Sequence, residues 1–453
     1  MVPHHANQQP QRRRVASALS TLTLALLVFA VAFAGSSVAA GGWPLRKASG
    51  HDVAESTSAP APNTQTSPAS STSEPANEPQ TPATVTPDQV ESEPARFTIL
   101  AAGDVLIHGP VMSSARSGSS YNFSPLLAGI DEWVQGADLA LCHMETPVAP
   151  AGTQPSGYPM FGAPKQIVKA LAKQGWDGCS TSSNHSVDRG FAGIQATIDA
   201  FKANGLGYTG TATSKKEQQT PQRYVLERGG QTIHVSHIGA TYGTNGLPVP
   251  AGKPWSVNII DTDAIIEQAR RERENGADLV LVSLHFGQEY RVAPTEQQLT
   301  VTQELAKSQQ VDLVIGHHAH IPQPMTKLAG GPGGNGMWVA YGLGNMLSNQ
   351  DASCCVAGTE SGLMMVADVT KPVDGPAEVT QIRWHGITVD KGGKHHVYPF
   401  TKKNSAVGTL SSATLKQREQ RVATEVGDDV AEIQKPPTAT GEPPAVEERT
   451  QAK

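Results

Sequence analysis

The chain has 453 residues, enough for one large folded unit or two ordinary ones with tails to spare. Its 35 Lys and Arg stand against 41 Asp and Glu with no basic stripe, so nucleic acid is excluded as the default partner. Anionic small molecules stay open, because a bound metal supplies positive charge locally.

Residues 1–40 read as a targeting segment. Arg12, Arg13 and Arg14 precede an uncharged apolar run from about Val15 to Gly35. Arginines ahead of such a run stay on the cytoplasmic side. The run has roughly 20 residues, enough to span a bilayer and longer than a usual signal core, which favours an uncleaved anchor. Cleavage near Ser37–Ala40 is the alternative. Residues 41–95 are rich in Ser, Thr, Pro, Glu and Ala and almost devoid of apolar side chains, which predicts a disordered spacer.

The texture changes over residues 96–400. "RFTILAAGDVLI" and "GADLALCHMET" are strands that end in polar groups. "PKQIVKALAKQGW" has helical spacing, and "DGCSTSSNH" is a strand and loop. "GFAGIQATIDAFKANG" is an amphipathic helix closed by glycine. "QTIHVSHIGAT" is a strand. "DTDAIIEQARRERENGADLVLVSLHFG" and "TEQQLTVTQELAKSQQVDLVIGHHAH" each read as a helix followed by an apolar strand. "GMWVAYGLGN" is another strand, and "SGLMMVADV" and "AEVTQIRWHGITVD" look antiparallel. Alternating helices and fully apolar strands predict an α/β domain whose sheets are covered by helices. Residues 401–453 are expected to be mostly disordered, with Ala413–Gln434 a candidate charged helix. Four cysteines allow three pairings. Cys142 and Cys179 lie near the ends of strand-like runs, so they are either bridged neighbours or two buried thiols.

Nearly every strand ends in a side chain suited to metals or protons: Asp104, Glu145, Asn184 with His185, His285, then His317, His318 and His320, and finally Asn345. In open α/β sheets, sites gather at the carboxyl ends of strands. Carboxylate, amide oxygen and imidazole together suit Mn²⁺, Fe or Zn²⁺. There are too many for one tetrahedral ion, so two divalent metal ions are the natural reading. His318 and His320, two apart on an extended segment, would face one side, and His317 the other, orienting its neighbours. Each residue also has a plain structural reading: Asp104 as a helix cap, His285 as a core histidine, Asn184 as a turn former. His108 and His143 are weaker candidates.

At these residues the chain resembles the CapA family, named for capsule and poly-γ-glutamate synthesis, which in turn resembles the calcineurin-like metallophosphoesterases. The resemblance covers about Phe97 to Ser348 and rests on "AAGDVLI", "CHMETPV", "SSNHSVDRG", "SLHFGQEY", "GHHAHIPQP" and "YGLGN". It implies a layered αββα sandwich of mixed sheets flanked by helices. It implies Asp104, Glu145, Asn184, His285, His318 and His320 as metal ligands and His185 as the acid. Glu289, Tyr290, Arg291 and Asn345 would face substrate; His317, Asp188 and His108 would support from behind. The chain departs from the family at His143 and Ser183, where asparagine is usual, and at Phe286, where tryptophan is. Leu106 stands where the phosphoesterases carry a histidine, a position that His108 or water would have to fill. The implied protein is anchored in the cell membrane by a single N-terminal pass, with its main domain extracytoplasmic. There it would synthesise or export a surface polymer beside membrane synthetase subunits, acting on an anionic polymer or phosphoester. The alternatives are a secreted phosphoesterase or nucleotidase, and a non-catalytic scaffold of a polymer synthase complex.

Overall fold

The computed structural model describes residues 93–449, apart from Lys402 and Asn404. The expected membrane segment and the spacer up to residue 92 lie outside the described residues. No described helix is long and apolar enough to cross a membrane.

The strands are apolar along their length, and alternate residues feed different layers. In the strand Ala95–Val105, Phe97, Ile99 and Ala101 join a core with Leu279, Leu281, Leu313 and Ile315 of the opposite sheet. Leu100 and Ala102 point the other way, into a core with Ile167, Leu171, Ile194 and Ile198. Those four belong to the helices Gln166–Gln174 and Gly190–Ala203. In the strand Leu279–His285, Val280 and Val282 likewise turn outward, toward Ile265 and Ala269 of Thr262–Glu274 and Val301 and Leu305 of Glu296–Ser308. The layers are helix, sheet, sheet, helix, the sandwich that the resemblance implied.

The first sheet has eight strands. Its order is His396–Pro399, Glu378–Asp390, Ser361–Lys371, Ala95–Val105, Leu139–Met144, Gly178–Ser180, Gly207–Thr209, with Asn345–Leu347 also paired to Ala95–Val105. It is parallel from Ala95–Val105 to Gly207–Thr209 and antiparallel on the other flank. The second has seven: Met325–Leu328, Met337–Ala340, Leu313–His317, Leu279–His285, Gln231–Thr241, Gln222–Arg228 and Ala445–Val446. Its centre is parallel and its edges antiparallel.

The predicted strand "GMWVAYGLGN" is in fact two. Met337–Ala340 belongs to the second sheet, and the chain then crosses so that Asn345 pairs with Asp104 in the first. This crossing needs bare backbone. A Cβ on Gly103 would sit 2.1 Å from the Gly344 oxygen, and one on Gly316 1.9 Å from the Tyr341 oxygen.

Cys142 and Cys179 form a disulfide between neighbouring strands, so of the two readings it is the bridge that is present. The tail departs from expectation. The helix Ser412–Val426 buries Leu415, Val422 and Val426 in the core between the sheets. Ala445–Val446 adds an edge strand to Gln222–Arg228. Arg449, 3 % exposed, donates to the carbonyls of Thr220 at 2.8 Å, Thr211 at 2.8 Å and Glu217 at 2.7 Å. Composition argued for disorder because the tail has few apolar side chains. It is ordered by the apolar face of its helix together with backbone pairing and one cation on carbonyls, the last two of which hydropathy does not register.

Arg449→Ala would strand those carbonyls, a loss of about 3 kcal/mol in urea unfolding. Glu217 supplies a pH test. Burial alone would raise its carboxyl, but hydrogen bonds from Tyr208 and Thr213 outweigh burial and lower it to about 2. Its contribution is therefore complete above the ordinary value of 4.5 and is lost as pH falls toward about 2. Acid titration of Glu217→Gln should show a shallower loss of stability over that window than the native chain.

Candidate metal centre

The residues that face the gap between the sheets are apolar until the carboxyl ends of the strands, where the same face turns polar. Leu139 and Leu141 lead to His143, Leu279 and Leu281 to His285, and Leu313 and Ile315 to His317. Asp104 breaks this parity, since strict alternation after Ala101 would send it to the helix side. The register shift between Ala101 and Asp104 restores it: Ala101 pairs with Leu141 and Asp104 with His143. A bulge of one residue thus re-aims the carboxylate into the gap. Glu145 follows the strand Leu139–Met144, and Asn184 and His185 lie in the loop after Gly178–Ser180.

Asp104 is fully buried. It accepts from His317 Nδ1 at 3.1 Å and from the His318 amide at 3.3 Å, and its Oδ2 pairs with the His320 ring at 3.1 Å. Burial alone would raise its carboxyl, but His317 and His320 outweigh burial and hold it well below the usual range. Burial would lower His320; Glu145 and Asp104 overcome this and push it up to about 9. Glu145 Oε1 lies 3.7 Å from His320 Nε2 and 4.0 Å from His285 Nε2, too far for hydrogen bonds. Burial, against the pull of His320, drives the Glu145 carboxyl well above its ordinary value. His285 Nε2 also faces Asn184 Oδ1 at 3.0 Å, and its ring lies 4.7 Å from that of His318.

Both Glu145 carboxylate oxygens and His318 Nδ1 are buried with no hydrogen-bond partner. A buried carboxylate without donors is costly, and a divalent cation removes the cost. Asp104, Glu145 and His320 bring ligand atoms within 4.8 Å of one another, and so do Glu289, His318 and His320. His285 Nε2 lies 4.0 Å from the same Glu145 oxygen and 3.0 Å from Asn184 Oδ1. Oxygen and imidazole donors in this mixture fit a divalent cation of the Mn, Fe or Zn type. A third group, Asp104, His143 and His317, meets the same distance limit. The His143 and His317 rings, however, stack at 4.1 Å and 15°, so their nitrogens run parallel and do not converge on one ion.

The other expected residues divide. His185 Nδ1 donates to Asp188 at 2.8 Å, Asp188 also accepts from the Phe161 amide at 2.7 Å, and Phe161 packs edge-on against His185 at 4.7 Å. The ring is thereby held at Nδ1 by Asp188 and packed against Phe161. Tyr290 sits at the rim, 6.1 Å ring to ring from His320, with its hydroxyl 3.3 Å from Gln350 Nε2. Glu289 and Arg291 are exposed. Asn345 was expected toward substrate and is instead fully buried. Its Oδ1 accepts from His320 Nδ1 at 3.1 Å, and its Nδ2 donates to Gln350 and the Thr359 carbonyl, so it orients a ligand. His108 belongs to none of the three ligand groups. Its Nδ1 lies 3.1 Å from the Leu106 carbonyl and its ring stands edge-on to Phe161 at 5.3 Å, so it does not replace the ligand lost at Leu106.

His318 and His320 do not sit on extended backbone. The strand ends at His317, and the two adopt φ of 89° and 57° in a left-handed turn. Such conformations are strained for residues with a Cβ and are held only by their surroundings. His143 is the residue whose weight the sequence understated. Its shared parity with Leu139 and Leu141 was the signal that it enters the gap.

A family model described as bacterial capsule synthesis protein PGA_cap matches residues 98–350. The chain is 26% identical over 194 residues to the capsule biosynthesis protein CapA of Bacillus anthracis, covering 42% of this chain and 44% of that one. It is 25% identical over 230 residues to the PGA biosynthesis protein CapA of Bacillus subtilis (strain 168), covering 49% and 55%. The chain thus spans about half the length of the curated relatives it matches. A solved structure, the calcineurin-like phosphoesterase YfkN from Bacillus subtilis, overlaps 73% of this chain and 97% of its own, at 14% identity and a TM-score of 0.39. With more than half its residues matched by the model, the chain belongs to the bacterial capsule synthesis protein family, PGA_cap.

Proposed function

We propose that the domain is a two-cation hydrolase or transferase that acts on a phosphoester or polymer linkage during assembly of an anionic surface polymer. The N-terminal apolar segment would hold it at the outer face of the cell membrane, beside membrane synthetase subunits. The observation that carries this reading is Glu145: a buried carboxylate with both oxygens unpaired, whose Oε1 lies 3.7 Å from His320 Nε2 and 4.0 Å from His285 Nε2. Glu145 would stand between the two cations. Asp104 and His320 would hold one, and Asn184, His285 and His318 the other. Bound cations supply Lewis acidity and the means to activate water at neutral pH. His185 would protonate the leaving group from Nε2, because its Nδ1 is committed to Asp188. Phe161 shields that ring from solvent. The membership in a capsule synthesis family supports a polymer as the substrate.

A non-catalytic scaffold is the second reading. Leu106, 2 % exposed, puts an apolar side chain where the phosphoesterases carry a metal-ligating histidine.

Elemental analysis of the full chain should find about two ions of Mn, Fe or Zn per molecule under the two-metal reading. Glu145→Gln should lose most of them. His185→Asn should keep the ions while turnover of a chromogenic phosphodiester falls by about 10²–10⁴-fold, the usual worth of a positioned general acid. Ions bound with no turnover on any phosphoester would transfer the case to the scaffold.

A further inference from the structure

We propose that His143 is a positioning residue: it fixes which nitrogen of His285 faces the cation, through a hydrogen-bond relay that ends at Ser180. This rests on the metal reading above. Beside His285 the chain has a second imidazole, and its contacts give that imidazole a task.

His143 is fully buried, and both of its nitrogens are engaged. Nδ1 lies 2.7 Å from Ser180 Oγ, and Nε2 lies 2.9 Å from His285 Nδ1. His143 and Ser180 are register partners on neighbouring strands of the first sheet, whereas His285 ends a strand of the second. The rigid ring therefore spans the gap between the sheets. A contact between two ring nitrogens needs a lone pair on one of them, and a ring that coordinates a cation must offer another, so the relay works with both rings neutral. A neutral imidazole has one N–H and one lone pair.

Without a cation the directions are forced. Asn184 Oδ1, 3.0 Å away, can only accept, so His285 carries its hydrogen on Nε2. His285 Nδ1 then accepts from His143 Nε2–H, and His143 Nδ1 accepts from the Ser180 hydroxyl. A cation held by Asn184 and His285 needs the Nε2 lone pair. His285 must then carry its hydrogen on Nδ1 and donate it to His143 Nε2, and His143 Nδ1–H donates to Ser180 Oγ. Both contacts survive with their directions reversed. Each of the three groups holds the same number of protons before and after, so the switch leaves no buried charge behind. A leucine at 143 would leave the Nδ1–H of His285 with no acceptor in a sealed site. Outer partners of this kind are worth about 10–100-fold in metal affinity.

The test is zinc titration of the full chain with three variants, each checked for a native thermal transition. His143→Gln, whose amide oxygen reaches about as far as Nε2, should bind zinc within about 3-fold of the native chain. His143→Leu should bind about 10–100-fold more weakly. Ser180→Ala, the smaller change, should weaken binding less and serves if His143→Leu fails to fold. Long-range ¹H–¹⁵N spectra of histidine-labelled native chain should show the hydrogens of His143 and His285 moving from Nε2 to Nδ1 on adding zinc. A merely structural role would not produce that change. Equal binding by native and His143→Leu chains, equal losses in Leu and Gln, or unmoved hydrogens would each overturn the inference while leaving the metal reading intact. No zinc uptake by the native chain would overturn both.

Discussion

Two carboxylates sealed between two sheets set the terms for the rest of this structure. Asp104 and Glu145 are almost wholly removed from water, and an ionised carboxylate in such a place is tolerated only with donors or a cation. Asp104 has its donors in His317, His320 and the His318 amide. Glu145 has none. Imidazoles accordingly crowd this end of the gap. The strand faces that supply Leu, Ile and Ala along most of their length supply His143, His285 and His317 at the end where the carboxylates lie, while His237, further back on the face of Ile233 and Val235, bonds to Ser283.

Holding the carboxylates there depends on backbone that comes unusually close. The two sheets approach at the crossing from Ala340 to Asn345, where Gly103 and Gly316 leave no room for a Cβ. The same crossing lays Asn345 beside Asp104, and Asn345 in turn fixes the ring of His320. Loss of the crossing would therefore disturb a ligand as well as the packing. The left-handed turn at His318 and His320 belongs to the same arrangement. Its strain is offset by the bonds from Asp104 and Asn345, so the site and the fold are stabilised together.

Much of this could be read from the sequence, and the limits of that reading have physical causes. Helix-covered sheets followed from apolar strands alternating with amphipathic helices, and the site followed from polar residues at strand ends. Both depend on periodicity, which a sequence displays directly. What could not be read depended on local exceptions to period two. Alternation alone would have turned Asp104 outward, and an unmarked bulge turns it in. Alternation suggested that His318 and His320 share a face of a strand, and a turn brings them together instead. Asn345 had the chemistry of a substrate contact, but only the crossing reveals that it is sealed behind His320. The ordered tail was hidden for another reason. An edge strand and an arginine on three carbonyls involve main-chain groups, which every residue has and which hydropathy does not measure.

The disulfide joins these strands of argument. Cys142 and Cys179 are register partners, and the next pair along the same two strands is His143 with Ser180. The cysteines face the helix layer, where Cys142 and Cys179 pack with Ile167 and Ile198, while His143 and Ser180 face the gap. A slip of one residue between two strands exchanges their faces. Here it would carry Ser180 away from His143 and leave a buried ring nitrogen without its partner. A covalent bond one residue before that pair forbids the slip. It therefore does more than restrict the unfolded chain, since it fixes the one register in which the imidazoles beneath the carboxylates can complete their hydrogen bonds.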